Sequence, residues 1–543
     1  MSNPIQSSVN RRTLLIGTGA VAAVATVPML GRQSVSAQDT PVAGGTLRYG
    51  LNVEPRRMNQ LNTTWMTDAT QHLYSRLVTR DDSGAYVPEL ASWEISEDGL
   101  TWTFTLREGI TFHNGDPVTS EAIVWWFNRA KDPDGFYGFK GSYSAIDTVT
   151  ATDPNTVVIT LSHPDGALLF MLYTVYSSIH NPKTYEELGD DGYGIQGVDG
   201  TGGFKLQEFT PGDKLVIVRN DAFAWPADLI ANKSAPYLDA VEYRYIADAS
   251  ARSAAIEAGD LDIVVAPNLA DVERLQQNAD LTVITKPMPA ARVVNFNCER
   301  APFSDKRVRQ AMAHAIQREP IVERLLFGLG VPATSIVPPI FPDIFLEESA
   351  TYFPYDVERG KALLAEAGLT DSDGDGFVEF NGAVWEPEMI VTTDTELVTL
   401  AQVMQAQAAE IGIKVSIVQV DLETVSARTA SGEFDLLTGF YLWDGPDTMY
   451  EWWFLSTNIG TTNSARISDP AVDALIEQMR NTATIEERYA VVKELQKSIH
   501  GDLAPIIPVY HPLDIYVMSN RVRGYNPNAF TLYPRMYDTW LAQ

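Results

Sequence analysis

Apolar and polar residues alternate over several short stretches of this chain, and apolar residues recur every third or fourth position over longer ones. Thr101–Leu106 sets Trp102, Phe104 and Leu106 on one face and three threonines on the other, the period of a half-buried strand. Residues 214–218 and Thr156–Leu161 are β-branched runs between turn residues. Turn chemistry surrounds them: Glu97-Asp98-Gly99, Asn114-Gly115-Asp116-Pro117, Asp153-Pro154-Asn155 and Thr210-Pro211-Gly212-Asp213. The stretch 90–220 therefore predicts a β-rich unit with short helices such as Ser120–Ala130.

Helical periodicity dominates later. Ser304-Asp305 can cap a helix carrying Val308, Ala311, Met312, Ala315 and Ile316 on one face. Residues 357–367 predict a second helix ended by Gly368, and 397–411 a third ended by Gly412 and followed by a strand at 414–420. Two more helices fall at 469–480 and 485–499. Strand and helix signals alternate throughout, so the fold class is mixed α/β. No repeat of fixed period occurs, and no stretch after the first 37 residues reaches 18 apolar residues.

Composition narrows the function. The 543 residues are 45% hydrophobic and 20% charged, an ordinary globular balance. Asp+Glu total 70 against 40 Lys+Arg, a net charge of −30 that repels nucleic-acid phosphates, so no nucleic-acid partner is expected. Cys298 is the only cysteine, so an intramolecular disulfide and a multi-thiolate zinc site are excluded. Cys298 sits in the apolar run 293–298 and reads as an inert core residue.

The first 37 residues read as an address. A polar start leads to Arg11-Arg12, then a mildly apolar run at 14–30, then Val35-Ser36-Ala37, with small residues where a signal peptidase reads. This is the pattern of a secretory signal peptide, twin-arginine-like, with the mature chain starting at Gln38. No lipobox cysteine lies near, so an exported protein without a lipid anchor, periplasmic or extracellular, is expected.

Catalytic signatures are missing. No two histidines stand four apart, and there is no G-x-S-x-G elbow, phosphate-binding P-loop or G-x-G-x-x-G turn. The expectation is no catalytic residue, no cofactor and no enzyme. The loop Asp371-Ser372-Asp373-Gly374-Asp375-Gly376 places Asp371, Asp373 and Asp375 at alternate positions, as in a calcium loop. Gly382 stands where such a loop needs its bidentate Glu, so the segment reads either as a weak calcium site or as a polar turn.

Six blocks in order then carry a resemblance: Gly44-Gly45-Thr46-Leu47-Arg48-Tyr49; Leu73-Tyr74-Ser75-Arg76-Leu77-Val78 with Pro88-Glu89-Leu90-Ala91; the run 103–119 through Phe112-His113-Asn114-Gly115-Asp116-Pro117; Gly200-Thr201-Gly202-Gly203-Phe204; Pro302-Phe303-Ser304-Asp305-Lys306-Arg307-Val308-Arg309; and Asp502-Leu503-Ala504-Pro505-Ile506-Ile507-Pro508. The chain resembles the family 5 solute-binding proteins of ABC importers, the peptide- and nickel-binding type. The resemblance implies a large two-lobed periplasmic-binding-protein fold of the three-subdomain type with a two-strand hinge. Lobe I would combine 38–85, 205–303 and 512–543, with 86–204 as a β-rich subdomain packed on it. Lobe II would be 304–511. Crossings are expected near 297–303 and 509–513.

Such a protein captures a peptide or peptide-like solute between its lobes and delivers it to an ABC permease, as a monomer. The same trap could hold a nickel chelate, haem, glutathione, an opine or a sugar; a secreted hydrolase is the alternative from another class. Candidate ligand contacts are Glu54 on the loop after the first strand, Arg292 and Asn295 around the strand entering the hinge, and Tyr441, Trp443 and Asp444 after a strand at 433–440. Aromatics would cover the ligand, the carboxylate would suit an amine, and Arg292 a carboxylate. The resemblance implies Gly-Trp, two residues, then an Asp in peptide-binding members; here, counting from Gly439-Phe440, Trp443 stands in that place and Asp444 comes one position late. Arg292 reads equally as a partner in a structural ion pair, Asp444 as a turn residue, and Trp452 and Trp453 as core.

Overall fold

The computed structural model describes residues 40–54, 56–62, 68–132, 135, 137, 140–442, 445, 448–482, 484–527 and 534–542. The leader expected at 1–37, together with Trp443 and Asp444, lies outside the described residues. Most of the frame is one twelve-stranded sheet. Its strands are β1 (Thr46–Leu51), β2 (Phe204–Thr210), β3 (Lys214–Arg219), β4 (Ala240–Tyr245), β5 (Ile263–Val265) and β6 (Leu281–Pro287), then β7 (Ala290–Phe296), β8 (Gly330–Pro332), β9 (Glu388–Val391), β10 (Ser416–Gln419), β11 (Leu436–Leu442) and β12 (Ile506–Ser519). The order runs β10-β9-β11-β7-β12-β5-β1-β4-β3-β2, with β6 and β8 paired to β12 off that path.

The sheet has two halves, and β12 belongs to both. Its first residues pair antiparallel with β7 and β8, and from Leu513 onward it pairs with β6 and β5. Parallel pairs mark each half: β1 with β4 and β5 in one, β9 with β10 and β11 in the other. The chain crosses a second time between β6 and β7, at Met288-Pro289. There the Met288 N–H donates to Pro512 O at 3.1 Å, tying the two crossings together. The crossing expected at 297–303 thus falls one strand earlier, because β7 finds its partners, β11 and the start of β12, in the second half. The crossing expected at 509–513 coincides with the partner change in β12.

Local chemistry accounts for the elements. Side-chain oxygens of Asp305, Asp356, Asp394 and Asp469 accept backbone N–H groups at the starts of the helices Lys306–His314, Val357–Glu366, Thr395–Glu410 and Pro470–Arg480, meeting donors that have no intrahelical partner. The antiparallel sheet of Ala91–Ile95, Thr101–Leu106, Thr156–Leu161 and Ile146–Asp153 buries Trp102, Phe104 and Leu106 as the alternation predicts. Each such burial stabilises by roughly 1.5–3 kcal/mol. Helix Ser120–Ala130 packs Trp126 and Phe127 beneath that sheet, edge-on to Tyr143.

The second half has its own core around Val308, Met312, Leu400, Met404 and Leu436. Helices Thr448–Phe454, Pro470–Arg480 and Ile485–Gln496 instead share a hydrophobic cluster with the β-rich unit and the first half. Backbones approach closely there: a Cβ on Gly445 would lie 2.5 Å from the Phe170 ring, so only glycine fits. A cavity of about 70 Å³ at the same contact is lined by Asp165, Glu451, Arg480 and Arg488, with Arg480 paired to Glu451 at 2.5 Å.

The glycines of Gly200-Thr201-Gly202-Gly203 have a steric cause. A Cβ on Gly202 would meet His72 O at 2.1 Å, and one on Gly200 would meet Leu73 O at 2.2 Å, both rigid backbone. Gly202→Ala is expected to destabilise the fold by about 1–3 kcal/mol through overpacking. Chemical denaturation of the purified variant checks this; a midpoint equal to wild type would contradict it.

Candidate functional site

A cavity of about 1060 Å³ lies between the two halves of the sheet. It opens beyond the carboxyl ends of the parallel strands in each half, where open α/β sheets concentrate ligand sites. One wall is Leu51, Asn52 and Val53 at the end of β1, residues 265–269 from the end of β5, and Leu513 to Tyr516 of β12. The facing wall is Arg292 of β7, Phe440 and Leu442 of β11, Asp394 to Glu396 at a helix start, and Leu325, Leu326 and Leu329. Val53 and Phe440, 38% and 36% exposed, are among the few large apolar residues left uncovered by the fold, and both line this cleft.

Arg252 builds the first wall. Its buried guanidinium donates to Ile246 O at 2.5 Å, Ala247 O at 2.8 Å, Val265 O at 3.0 Å and Ala266 O at 2.5 Å. It thereby fastens the loop after β4 to the loop after β5. Ala266 has φ 46°, a left-handed conformation that costs a non-glycine residue of order 1 kcal/mol and persists only when its surroundings impose it. Burial pulls the Arg252 pKa down, but no carboxylate bonds to it among the described residues; carbonyl oxygens hold its charge.

Charges on the second wall are already matched. Arg292 Nε donates to Glu396 Oε1 at 3.0 Å, and the Tyr510 hydroxyl donates to the same oxygen at 2.5 Å. The guanidinium also lies 4.3 Å from the Phe440 ring centroid, a cation–π contact. Burial, reinforced by the Glu396 charge, pushes the Tyr510 phenol far above its ordinary range, so it remains a donor. Asp394 Oδ1 accepts the Glu396 and Leu397 N–H groups, so that helix start is capped as well.

Charges on the first wall are not matched in this way. Asp68 lines the cleft and accepts one hydrogen bond among the described residues, from the Tyr49 hydroxyl at 2.5 Å. Tyr49 in turn lies 3.1 Å from the Tyr525 hydroxyl. Beside them Lys286 Nζ pairs with Asp514 Oδ2 at 3.1 Å. Burial raises the Asp68 pKa to about 6, against the opposing pull of the Tyr49 hydrogen bond; Asp514 adds to the rise and Lys286 opposes it.

The residues singled out from the sequence separate by strand parity. β7 and β11 pair antiparallel with Arg292 opposite Phe440 and Ala291 opposite Tyr441. Arg292 and Phe440 therefore face the cleft, while Asn295 and Tyr441 point to the other face of the sheet. There Tyr441 donates to Asn295 Oδ1 at 2.5 Å and stacks on Trp453 with centroids 4.2 Å apart. Both are buried structural residues. Glu54 is half-buried one position beyond the lining residue Val53 and is not itself part of the lining. Trp443 and Asp444 lie outside the described residues.

Asp371, Asp373 and Asp375 are the one group of three or more candidate metal ligands brought together among the described residues, their oxygens within 4.8 Å of one another. All three are exposed. Asp371 accepts the N–H groups of Gly374 and Gly376, and Glu379 accepts those of the Ser372 main chain and hydroxyl, the bonding of a self-closed turn. Burial pushes the Cys298 thiol up to about 11, consistent with an unreactive core position. Asp68, Arg252, Glu396, Phe440 and Tyr510 were not singled out from the sequence. Phe440 alone left a usable signal, since it and Tyr441 must face opposite ways.

A cleft between two halves of a sheet, with an apolar lining and fixed polar groups, has the geometry of a solute-binding site. The chain belongs to the bacterial extracellular solute-binding proteins of family 5, whose profile for the middle region matches residues 85–462. Heme-binding protein A of Haemophilus influenzae is 30% identical over 489 residues, covering 85% of this chain and 86% of that protein. Probable di/tripeptide-binding protein 5 of Pseudomonas aeruginosa is 29% identical over 520 residues, covering 90% and 94%. The fold matches the oligopeptide-binding protein AppA of Bacillus subtilis, solved with a nonapeptide, at a TM-score of 0.79 and 24% identity, over 93% of this chain and all of that one. No helix among the described residues is long and apolar enough to cross a membrane.

Parity makes a prediction. Tyr441→Phe, which strips the partner from buried Asn295, is expected to lower stability by about 1–3 kcal/mol and leave solute affinity within about twofold. Phe440→Ala is expected to do the reverse, weakening binding about tenfold with little loss of stability. Paired denaturation and calorimetric titrations check both; a large affinity loss in Tyr441→Phe would contradict the assignment of faces.

Proposed function

We propose that this protein captures a short peptide or peptide-like solute in the cleft between its lobes and hands it to an ABC importer. The observation that carries this reading is the cleft. Its volume of about 1060 Å³ is at the top of the range of about 300–1000 Å³ for small-molecule pockets. Its walls alternate apolar surface with charged groups of both signs, which suits a chain with a polar backbone and mixed side chains. The chain would act outside the cytoplasmic membrane, exported through the twin-arginine-like leader, with lobe I built on 38–85, 205–288 and 513–543 around the subdomain 86–204 and lobe II built on 289–512. Closure about Met288-Pro289 and Pro512-Leu513 would desolvate the solute and strengthen each hydrogen bond made to it.

A second solute class, haem, draws support from the apolar share of the lining, with Met288 and Tyr176 among it, and from the relative of that name. Native mass spectrometry of freshly purified protein separates the two. The peptide reading expects a bound mass that fragments into amino acids, and no porphyrin absorption. Adding that solute at a hundred times its dissociation constant should stabilise the fold by about 2.7 kcal/mol. A bound porphyrin, or calorimetric silence toward a mixed tripeptide library, would overturn it.

A further inference from the structure

We propose that Asp68, set among the rings of Tyr49, Tyr516 and Tyr525 on the lobe I wall, is the anchor for a positively charged ammonium group of the solute. The inference deepens the reading of the cleft as a peptide site and rests on it. Three observations carry it.

First, the charge set around Asp68 is incomplete. Two carboxylates, Asp68 and Asp514, face this end of the cleft, and the nearby cation, Lys286, is bonded to Asp514. Asp68 is half-buried on the cleft wall and holds one neutral hydrogen bond among the described residues. A carboxylate partly withdrawn from water with a single neutral partner is costly, and the usual remedy is an opposite charge.

Second, the surroundings suit an ammonium. Tyr516 lines the cleft, Tyr525 packs edge-on to both Tyr49 and Tyr516, and Tyr243 backs Tyr49. Lys286 already lies over the Tyr516 ring, so this cluster accommodates a cation beside a π-face. Third, the opposite wall is closed to this role. Glu396 is occupied by Arg292 and Tyr510, Asp394 is committed to the N–H groups that open its own helix, and a solute carboxylate reaching for Arg292 must displace Glu396. Arg252 also lines the cleft, but its hydrogen bonds are spent on carbonyl oxygens, so the charged group best placed to meet a solute is the Asp68 carboxylate, which favours cationic over anionic solutes.

Acid should release such a solute. The groups facing Asp68 are Tyr49 of β1, Tyr243 of β4, Lys286 of β6, Asp514 and Tyr516 of β12, and Tyr525. The tyrosines stay protonated, because burial raises all of them well above their ordinary values. Asp68 in the empty protein takes up its proton near pH 6. Since its folded value is raised, the neutral form favours the empty fold, and a penalty develops as pH rises through about 6. Asp68→Asn keeps an acceptor for Tyr49 and removes that penalty, so the empty variant should melt at or above wild type at pH 7.5.

The test uses four peptides: Ala-Lys-Ala and Ala-norleucine-Ala, each with a free or an acetylated amino terminus. Calorimetric titration of the full mature chain and of Asp68→Asn at pH 7.5 and pH 5 is the measurement. In wild type at pH 7.5, a peptide bearing the anchored ammonium should bind at least tenfold tighter than its partner lacking it. The acetylated pair reports a side-chain ammonium, and the norleucine pair the terminal one. That preference should fall about tenfold at pH 5 and vanish in Asp68→Asn, whose melting confirms folding. Equal binding of charged and uncharged partners in wild type, or a preference retained by Asp68→Asn, overturns the proposal. If no peptide binds, the peptide reading fails separately, and spermidine titrated into the same two proteins decides the anchor: tighter binding to wild type upholds it and equal binding overturns it.

Discussion

The backbone ladder of β12 is the constraint on which both halves of the molecule depend. Ile506 to Tyr510 complete one set of strands, and Leu513 to Ser519 complete the other, so each half finishes its sheet with part of the same strand. The change of partner falls at Pro512, which brings no N–H to the ladder, and the second crossing carries Pro289. The Met288 N–H on Pro512 O and the contact of the His511 ring with Ala290 O join the crossings along one line. The cleft opens over that line. A strand shared this way holds the halves in register and leaves rotation about the shared line as the soft motion.

The walls follow from that geometry. Each half ends its parallel strands at the cleft, and the loops beyond those ends carry the polar groups. On one side Arg252 uses its donors on four carbonyl oxygens, which makes it a fastener for the loops and spends its hydrogen bonds on the wall itself. On the other side Arg292, Glu396 and Tyr510 satisfy one another. The acid left without an ion pair of its own is Asp68; withdrawal from water raises its pKa, against the pull of Tyr49 and of Lys286, which is paired with Asp514. A binding site commonly carries a group that the empty fold would be more stable without.

The alternation of Thr101–Leu106, the caps at Asp305 and Asp469, and the ends at Gly368 and Gly412 are local signals, and the elements stand where those signals put them. Parity was harder. Arg292 and Asn295 lie three apart in one strand and so face opposite ways, as do neighbours Phe440 and Tyr441; which member of each pair meets the cleft depends on the pairing of β7 with β11, a long-range fact. The crossing precedes β7 instead of falling at 297–303 for the same reason, since nothing in 288–303 announces that β7 leaves the partners of β6. Asp68 sits in a loop and Arg252 on the short helix Ala249–Glu257, and their roles appear only when Tyr49, Lys286 and the carbonyls of 246–266 converge on them.

Small-angle X-ray scattering of the ligand-stripped mature chain, recorded with and without a mixed tripeptide library under conditions where calorimetry detects binding, tests the account at its centre. A shared strand with a soft line beneath the cleft predicts a smaller radius of gyration in the bound state and loss of the scattering feature of an open groove. Superimposable curves despite measured binding would contradict it, because the solute would then occupy a rigid body in which the halves do not move.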